Sequence, residues 1–225
     1  MAPARRRQRR EDSSTSTALL DATEQIMLEE GYAAVSSRRV ASRAGVTGAL
    51  VHYYFGTMDE LFVAVFRRIA ERSLERQARV LSSVQPLWGL WDSTRDQFNT
   101  ALLMEFNALA SHHQAVQDEI ATYSRRFRRM QIDIVSGVLD SYGIDATAWP
   151  PVSIILLMTG ISRFMMIEEA FEIDIGHAET VALVERLIRE LEGERRPTAE
   201  DYLARFSNSS QRRRRSLTVR PERTR

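Results

Sequence analysis

The chain is 225 residues long, with 44% hydrophobic residues, 27% charged residues and a formal net charge of +1. This length and composition fit one compact folded unit or two small domains. The sequence has no cysteine, which excludes disulfides, zinc–cysteine sites and thiol chemistry.

The basic charge is concentrated at the two ends of the chain. All 31 basic residues are arginine; residues 1–10 hold five of them without an acid, and residues 207–225 hold seven with one glutamate. The intervening body therefore carries a net charge of −10. Basic ends on an acidic body indicate a polyanionic partner.

Both ends are predicted to be disordered. Residues 1–14 form a basic arm, because their arginines have no apolar periodicity around which to fold. Arginine suits phosphates and narrow minor grooves, so we expect this arm to contact DNA; the alternative is a solubilising tail. Residues 207–225 form a second basic tail, whose contact with DNA the sequence leaves open.

Two helices are predicted after the arm. The first runs from about Ser16 to Glu30 and ends at Gly31. The second begins at Ser36 or Ser37, because a short hydroxyl side chain accepts from the free N–H groups of a first turn. It ends at Gly45, where glycine permits the backbone to turn sharply.

Two further helices follow the glycine turn. Thr47 is a natural cap for a third, short helix that runs to about Tyr54. The run Thr57-Met58-Asp59-Glu60 matches a capping box and opens a fourth helix that extends to about Leu81. The second and third helices and their glycine turn predict a helix-turn-helix, whose second helix can enter a major groove. An ordinary helical hairpin fits the same pattern, so the pattern alone does not decide.

The rest of the chain is also predicted to be helical. Pro86 and Gly89 interrupt the pattern, and Ser93 to Asp96 open a helix that runs to Leu109. A long helix over 115–142 follows, with a solvated arginine face at Arg125, Arg126, Arg128 and Arg129. Later helices are predicted over 150–168, 178–192 and 198–206. No strand pattern is present, so the fold class is all-α.

The helix over 150–168 is apolar on almost every side, which is typical of a buried helix. A membrane span is the alternative, but the segment is short and single, and Arg163 would be costly in a bilayer. The arginine-rich N-terminus lacks the apolar stretch of a signal peptide, so we expect a cytoplasmic protein without membrane contact.

No motif for catalysis, metal binding or a cofactor is found. The adjacent His112 and His113 would point about 100° apart on a helix, so they cannot share a metal as an i, i+4 pair can. There is no phosphate loop, dinucleotide fingerprint or nucleophile elbow, and an enzyme is not expected.

Residues 19–61 are similar to the DNA-binding domain of the TetR family of bacterial transcriptional regulators. The matching residues, with the family's spacing, are Leu19-Leu20-Asp21-Ala22, Glu30-Gly31-Tyr32, Val40-Ala41, Ala44-Gly45-Val46, Tyr54-Phe55 and Asp59-Glu60-Leu61. The sequence departs from the family's usual pattern at three places. His52 stands where the family usually has Tyr, Gly48-Ala49 where it often has Lys-Gly, and Met58 where it usually has Lys.

The resemblance implies a domain organisation and a function. Residues 15–83 would form a helix-turn-helix DNA-binding domain of three helices with a linking fourth helix, and residues 84–206 an effector-binding and dimerisation domain. A homodimer would repress transcription at a double-stranded DNA operator and leave it when a small apolar effector binds. The alternatives are an activator, a regulator that answers a protein partner, or a helical interaction protein with a vestigial helix-turn-helix.

Three sets of site residues follow from the motif, the apolar patterns and the resemblance. The candidates for DNA contact are Ser36, Ser37, Arg38, Thr47, Gly48, Ala49, Leu50, His52, Tyr53, Tyr54 and Thr57. The candidate effector lining is Trp88, Trp91, Phe98, Leu102, Glu105, Phe106, His112, Met130, Ile134, Met158 and Phe164. The candidate dimer interface is Ile155, Gly160, Val181, Val184, Ile188 and Leu191, where the last four form a coiled-coil-like seam.

Overall fold

The computed structural model describes the backbone of residues 3–95 and 97–196, and the side chains of residues 14–95 and 101–196. Every element in these ranges is helical, which confirms the all-α class. A 3-10 turn (Tyr32–Ala34) follows the first of the helices, which are α1 (Pro3–Glu30), α2 (Ser37–Ala44), α3 (Gly48–Phe55), α4 (Met58–Leu81), α5 (Pro86–Thr94), α6 (Gln97–Ala110), α7 (Gln114–Ser141), α8 (Pro151–Glu169) and α9 (His177–Glu192). The predicted helix over 198–206, the tail 207–225 and the side chain of Phe98 lie outside the described residues.

Helix α1 begins at Pro3 rather than near Ser16, so the prediction of a disordered arm is wrong for the backbone of residues 3–14. Arginine and glutamine have high helix propensity, and proline is tolerated in the first turn of a helix. These local preferences extend the helix although the segment has no apolar stripe.

The helix-turn-helix has the predicted caps. The Ser36 hydroxyl accepts a hydrogen bond from the Arg39 amide, and Gly45 ends α2 in the left-handed region at φ 69°. The Val46 amide donates to the Ala41 carbonyl at 2.9 Å, which closes the turn. At the start of α4, Thr57 and Glu60 form the reciprocal capping box.

Two hydrophobic cores hold the helices together. The N-terminal core combines α1 to α4 with Leu102, Phe106 and Leu109 of α6 and Val116 of α7. The C-terminal core combines the end of α4 with α5, the second half of α7, α8 and α9. Helix α6 therefore packs with the DNA-binding helices, although it follows the boundary at residue 84 that the sequence predicted.

Pro86 and Gly89 lie within α5, so the prediction that they interrupt the helical pattern is wrong. Proline is compatible with the first turn, where its missing N–H has no partner to lose. A β-carbon on Gly89 would lie 2.5 Å from Val80 Cγ1 and 3.2 Å from the Val80 carbonyl oxygen. Glycine at this position therefore lets α5 approach α4 closely. Ser93 belongs to the end of α5 and does not open the next helix.

The carboxylate of Glu192, at the end of α9, caps the start of α5. It accepts from the Leu87 amide at 2.8 Å and from the Trp88 amide at 3.0 Å, and the Tyr142 hydroxyl donates to it at 2.9 Å. A carboxylate at this end is favourable because it meets the positive end of the helix dipole. Burial and the hydrogen bond to Glu192 raise the pKa of Tyr142 to about 12, so this contact contributes stability that is lost only above about pH 10.

Helix α8 is less buried than its apolar sequence predicts. Among the described residues it is the one helix long and apolar enough to cross a membrane by length and composition, a test that core helices of soluble proteins also pass. One side, including Ile155, Met158 and Met165, packs inside the subunit. The other side carries exposed large apolar residues, including Leu157 and Phe164. The expectation of burial on all sides is therefore wrong for the isolated subunit.

Two glycines in helix interiors give a matched test of the packing between α4 and α5. Gly89→Ala should lower the free energy of unfolding by ~1–3 kcal/mol, because the new methyl group overlaps Val80. Gly137→Ala, where no atom lies within 4 Å of the added carbon, should raise it by ~0.5–1 kcal/mol. Urea denaturation at one fixed protein concentration measures both. Equal stabilisation by the two substitutions would contradict the close approach of α5 to α4.

Candidate nucleic-acid interface and ligand cavity

Helix α3 presents an exposed face of mixed chemistry. Thr47 precedes it without a side-chain capping bond, so its exposed hydroxyl is not used by the helix. Ala49, His52 and Tyr53 are exposed, and Tyr53 is 74% accessible, the most exposed aromatic side chain on this helix. The predicted residues Gly48, Leu50 and Tyr54 are half-buried, and Tyr54 packs against the N-terminal core.

His52 is oriented by a contact within its own helix turn. Its Nδ1 lies 3.0 Å from the carbonyl oxygen of Gly56. If Nδ1 carries the proton and donates to this carbonyl, Nε2 remains as an acceptor on the exposed side. The ring is therefore held in a position where one nitrogen can meet a base edge.

Helix α2 is held against the end of α1 by ion pairs that the sequence pattern did not reveal. Arg39 pairs with Glu30, and Arg43 pairs with Glu29 at 2.5 Å and with Glu30 at 3.4 Å. Arg38 is exposed and forms no ion pair with a described residue, so its guanidinium is available for a phosphate. Arg39 and Arg43 are four residues apart and therefore share one side of α2, where they pair with the acids of α1. Arg38 does not take part in these ion pairs.

The remaining predicted DNA contacts have structural roles at helix ends. The hydroxyls of Ser36 and Thr57 cap α2 and α4, and Ser37 is half-buried. Caps keep both positions at the surface, where the free N–H groups of a helix start can also bind a phosphate.

A cavity of about 220 Å³ lies between α4, α5, α6, α7 and α8. Of the predicted effector residues whose side chains the structure describes, only Leu102 and Phe106 lie in its wall. The remaining lining residues are Phe66, Ile69, Ala70, Ser73, Leu74, Arg76, Gln77, Ser93, Thr94, Leu103, Tyr123, Ser124, Phe127, Gln131, Thr159 and Arg163. Many of these residues lie on α4, which the sequence predicted to be a linking helix rather than a wall of the cavity.

The other predicted effector residues lie elsewhere. Three of them, Trp88, Trp91 and Met158, are buried in the C-terminal core, and Ile134 packs against that core. Met130 is half-buried but does not line the cavity, and His112 and Phe164 are exposed.

Glu105 has a structural partner in place of the predicted ligand. Its Oε2 accepts a hydrogen bond from the Tyr32 amide at 2.7 Å, immediately after α1. A second polar link between the two halves joins His113 Nδ1 to Asp59 Oδ1 at 2.7 Å, in the first turn of α4. Both links connect the region around α6 to the DNA-binding helices.

The predicted dimer residues divide between two faces. Ile155 and Ile188 are buried in the C-terminal core, and Val181 and Val184 pack against that core. The predicted seam therefore faces the subunit's own interior. Gly160 and Leu191 are exposed. The exposed apolar face consists of Leu156, Leu157, Gly160 and Phe164 on α8 and Leu183, Leu187 and Leu191 on α9.

No group of three or more histidine, aspartate or glutamate side chains in the described part of the chain is placed to hold a metal ion.

The comparison with protein families identifies the helix-turn-helix region. Residues 19–65 match bacterial regulatory proteins of the tetR family. The HTH-type transcriptional regulator BetI of Rhizobium meliloti (strain 1021) is 29% identical over 121 residues. That alignment spans 49% of this chain and 59% of BetI, which is less than two thirds of the relative's length.

Solved structures extend the similarity of fold beyond the matched region. A TetR transcription regulator from Haloarcula marismortui ATCC 43049 is 21% identical, with a TM-score of 0.63 over 80% of this chain and 97% of that one. A transcriptional regulator from Rhodococcus sp. Rha1 is 18% identical, with a TM-score of 0.61 over 80% of this chain and 99% of that one. These likenesses establish the fold of the C-terminal helices as well as of the motif.

Neighbouring arginines on α2 test the phosphate contact. Arg38→Ala should lower the slope of log K against log salt for duplex binding by about one, because one phosphate contact and its released counterion are lost. Arg39→Ala should leave that slope nearly unchanged, because Arg39 already pairs with Glu30. Equal slopes for wild type and Arg38→Ala would show that Arg38 does not meet a phosphate.

A second substitution tests the base contact. His52→Ala should weaken binding to the preferred duplex by ~1–3 kcal/mol and relax preference at one base position. His112→Ala, which removes an exposed histidine outside the helix-turn-helix, serves as the control. Competition binding with a library of variant duplexes gives both quantities. Full affinity and unchanged preference in His52→Ala would exclude a base contact by this side chain.

Proposed function

Because this chain belongs to the TetR family of bacterial transcriptional regulators, we propose that it is a sequence-specific DNA-binding repressor. A small ligand in the cavity would release it from its operator. The observation that carries the proposal is the capped helix-turn-helix, with an exposed α3 face and Arg38, which forms no ion pair with a described residue. We expect it to act in the cytoplasm, where its DNA is.

Apolar contacts and DNA shape would carry much of the sequence preference. Ala49 is exposed and Leu50 partly so, and such side chains can contact a thymine methyl group. Hydrogen bonds to base edges would come from Thr47, His52 and Tyr53. The helical N-terminal arm would add affinity through phosphates with little sequence information of its own.

A second copy of the chain is the occupant that best fits the exposed apolar face of α8 and α9. Leu183, Leu187 and Leu191 recur every four residues, so they form one stripe along α9. No atom lies within 4 Å of a β-carbon built on Gly160, so the centre of the face is open. Two such faces would form a four-helix bundle around a two-fold axis.

Helices α4 and α6 would transmit the arrival of a ligand. Both contribute to the cavity wall and to the N-terminal core, through Phe66 and Phe106 respectively. A ligand that displaces α6 would pull on Tyr32 through Glu105 and change the separation of the two recognition helices. That separation must be near ~34–36 Å to meet successive major grooves. The ligand must therefore bind the DNA-incompetent arrangement more tightly.

Selection of binding sites from random duplexes tests the function most directly. The full chain should enrich one pseudo-palindromic sequence, and binding to it should saturate and weaken with salt. Transcription from a promoter that carries this sequence should fall when the protein is added. Enrichment of no sequence would contradict operator binding, and increased transcription would replace repression by activation.

Adjacent residues on α9 test the dimer face. Leu187→Glu, at a position 40% exposed, should yield a folded monomer with weak operator binding. Ile188→Glu, at a position 4% exposed, should instead destabilise the subunit, because it buries an unpaired charge. Sedimentation velocity and circular dichroism distinguish these outcomes. A Leu187→Glu variant that remains a dimer would show that this stripe is not the interface.

A further inference from the structure

The cavity is apolar at α6 and polar at several other positions of its wall. Phe66, Leu102 and Phe106 supply aromatic and aliphatic surface. Two glutamines, one arginine from α4 and Arg163 from α8 supply polar groups, and none of the described residues in the wall is acidic. The α4 arginine, Arg76, already has an interaction partner, so Arg163 is the residue that carries the argument for a positive wall.

The two glutamines are buried without partners. Gln77 is 5% exposed and Gln131 is 3% exposed, and the side chain of neither forms a hydrogen bond with a described residue. The Oε1 atom of Gln77 is fully enclosed and unsatisfied. An unsatisfied buried polar group costs about 1–3 kcal/mol, so an unoccupied cavity leaves these amides at a disadvantage that a polar ligand can remove.

Arg163 and Arg128 lack the carboxylate partners that neighbouring arginines have. Arg67 pairs with Glu119 and Arg126 with Glu71 across α4 and α7. Arg163 forms no ion pair with a described residue, and Nη1 of Arg128 is buried with no hydrogen-bond acceptor. Burial lowers the pKa of Arg163, and the nearby charge of Arg128 lowers it further, so the two cations repel each other. Of the two, Arg163 lines the cavity and Arg128 does not. An anion bound at Arg163 from the cavity would offset the repulsion between them.

We propose that the cavity binds a small amphiphile with one anionic headgroup, a carboxylate or a phosphate monoester. The headgroup would lie at Arg163, on the side of the cavity near Arg128, and the apolar body would lie against Leu102 and Phe106 of α6. The glutamine amides would donate to the headgroup, because rotation of a glutamine amide by 180° exchanges its donor and acceptor ends. This inference rests on the proposed function, since it specifies the chemistry of the releasing ligand.

The charge of the wall selects against the alternatives. A cationic amphiphile would meet the like charge of Arg163 and find no described acid in the wall. A neutral hydrocarbon would leave the side chains of both glutamines unsatisfied. The cavity is smaller than the ~300–1,000 Å³ of typical drug-sized sites, so an alkyl chain of about eight carbons is a suitable probe.

Isothermal titration calorimetry of the full chain without DNA tests the ligand class. The probes share one alkyl chain and differ in headgroup: octanoate, octyl phosphate, 1-octanol and octyltrimethylammonium. One of the two anions should bind at least about 10-fold more tightly than 1-octanol, as expected for a hydrogen bond to a charged group. The anion that binds more tightly shows whether the site prefers a carboxylate or a phosphate. Preference for the alcohol or the cation, or binding of none of the probes, would overturn the proposal.

Substitutions locate the headgroup. Arg163→Met should weaken anion binding by about 10-fold or more and leave binding of 1-octanol unchanged. Arg128→Met removes a nearby charge that lies outside the described wall, so it should weaken anion binding by a smaller factor. Arg129→Met, an exposed neighbour on α7, is the matched control. Gln77→Leu should weaken binding of the anion by a smaller factor than Arg163→Met, and the variant should remain folded. If both arginine variants keep the circular dichroism spectrum of the wild type and an unchanged affinity for the anion, the assignment of the headgroup site is wrong.

A separate titration distinguishes the ligand proposal from the proposed function. Octanoate and octyl phosphate are added to the protein bound to its selected operator duplex. Arginine-dependent binding of an anion without release from DNA would support the ligand class and contradict the release mechanism. Release by another compound, with no binding of either anion, would support the mechanism and overturn the ligand class.

Discussion

The hydrogen bond from the Tyr32 amide to Glu105 ties the DNA-binding helices to the helix that lines the cavity. It is 2.7 Å long and spans 73 residues of sequence. Leu102, Phe106 and Leu109 of α6 lie beside it in the same core as α1 and α4. A carboxylate that accepts from a backbone N–H forms one of the stronger hydrogen bonds in a protein. The position of α6 and the orientation of α2 and α3 are therefore coupled by one packed body.

Ion pairs determine how the acidic body and the DNA-binding surface coexist. Arg68 and Arg72 of α4 engage Glu24 of α1, and Arg39 and Arg43 of α2 engage Glu29 and Glu30. The exposed pairs of α2 contribute little to stability, about 0–1 kcal/mol each, whereas Glu24 is a buried residue and its pairs are partly buried. Their larger effect is to orient α1, α2 and α4, to keep acids away from DNA, and to leave Arg38 without a partner. The cavity differs from this surface, because Arg163 lines it and no acid is among the described residues of its wall.

Sequence patterns predicted the elements more successfully than the surfaces. Caps and glycine turns at Ser36, Gly45 and Thr57 fixed the motif, because these signals are local. The predicted seam of α9 packs against the subunit's own core. Helix α9 carries two apolar stripes about 100° apart, and periodicity does not show which one the subunit itself buries. The cavity was missed because its polar residues, Gln77, Gln131 and Arg163, lie on three different helices. Only their assembly in the tertiary structure reveals that they lack partners.

A double-mutant cycle on operator affinity tests the coupling through α6 without requiring a known ligand. Thr159→Trp would fill the cavity from α8, and Glu105→Ala would remove the acceptor for the Tyr32 amide. If α6 carries the signal, filling the cavity should weaken operator binding, and this loss should shrink by at least about 0.5 kcal/mol in the Glu105→Ala background. Losses that add within about 0.3 kcal/mol, in variants that remain folded dimers, would contradict the coupling.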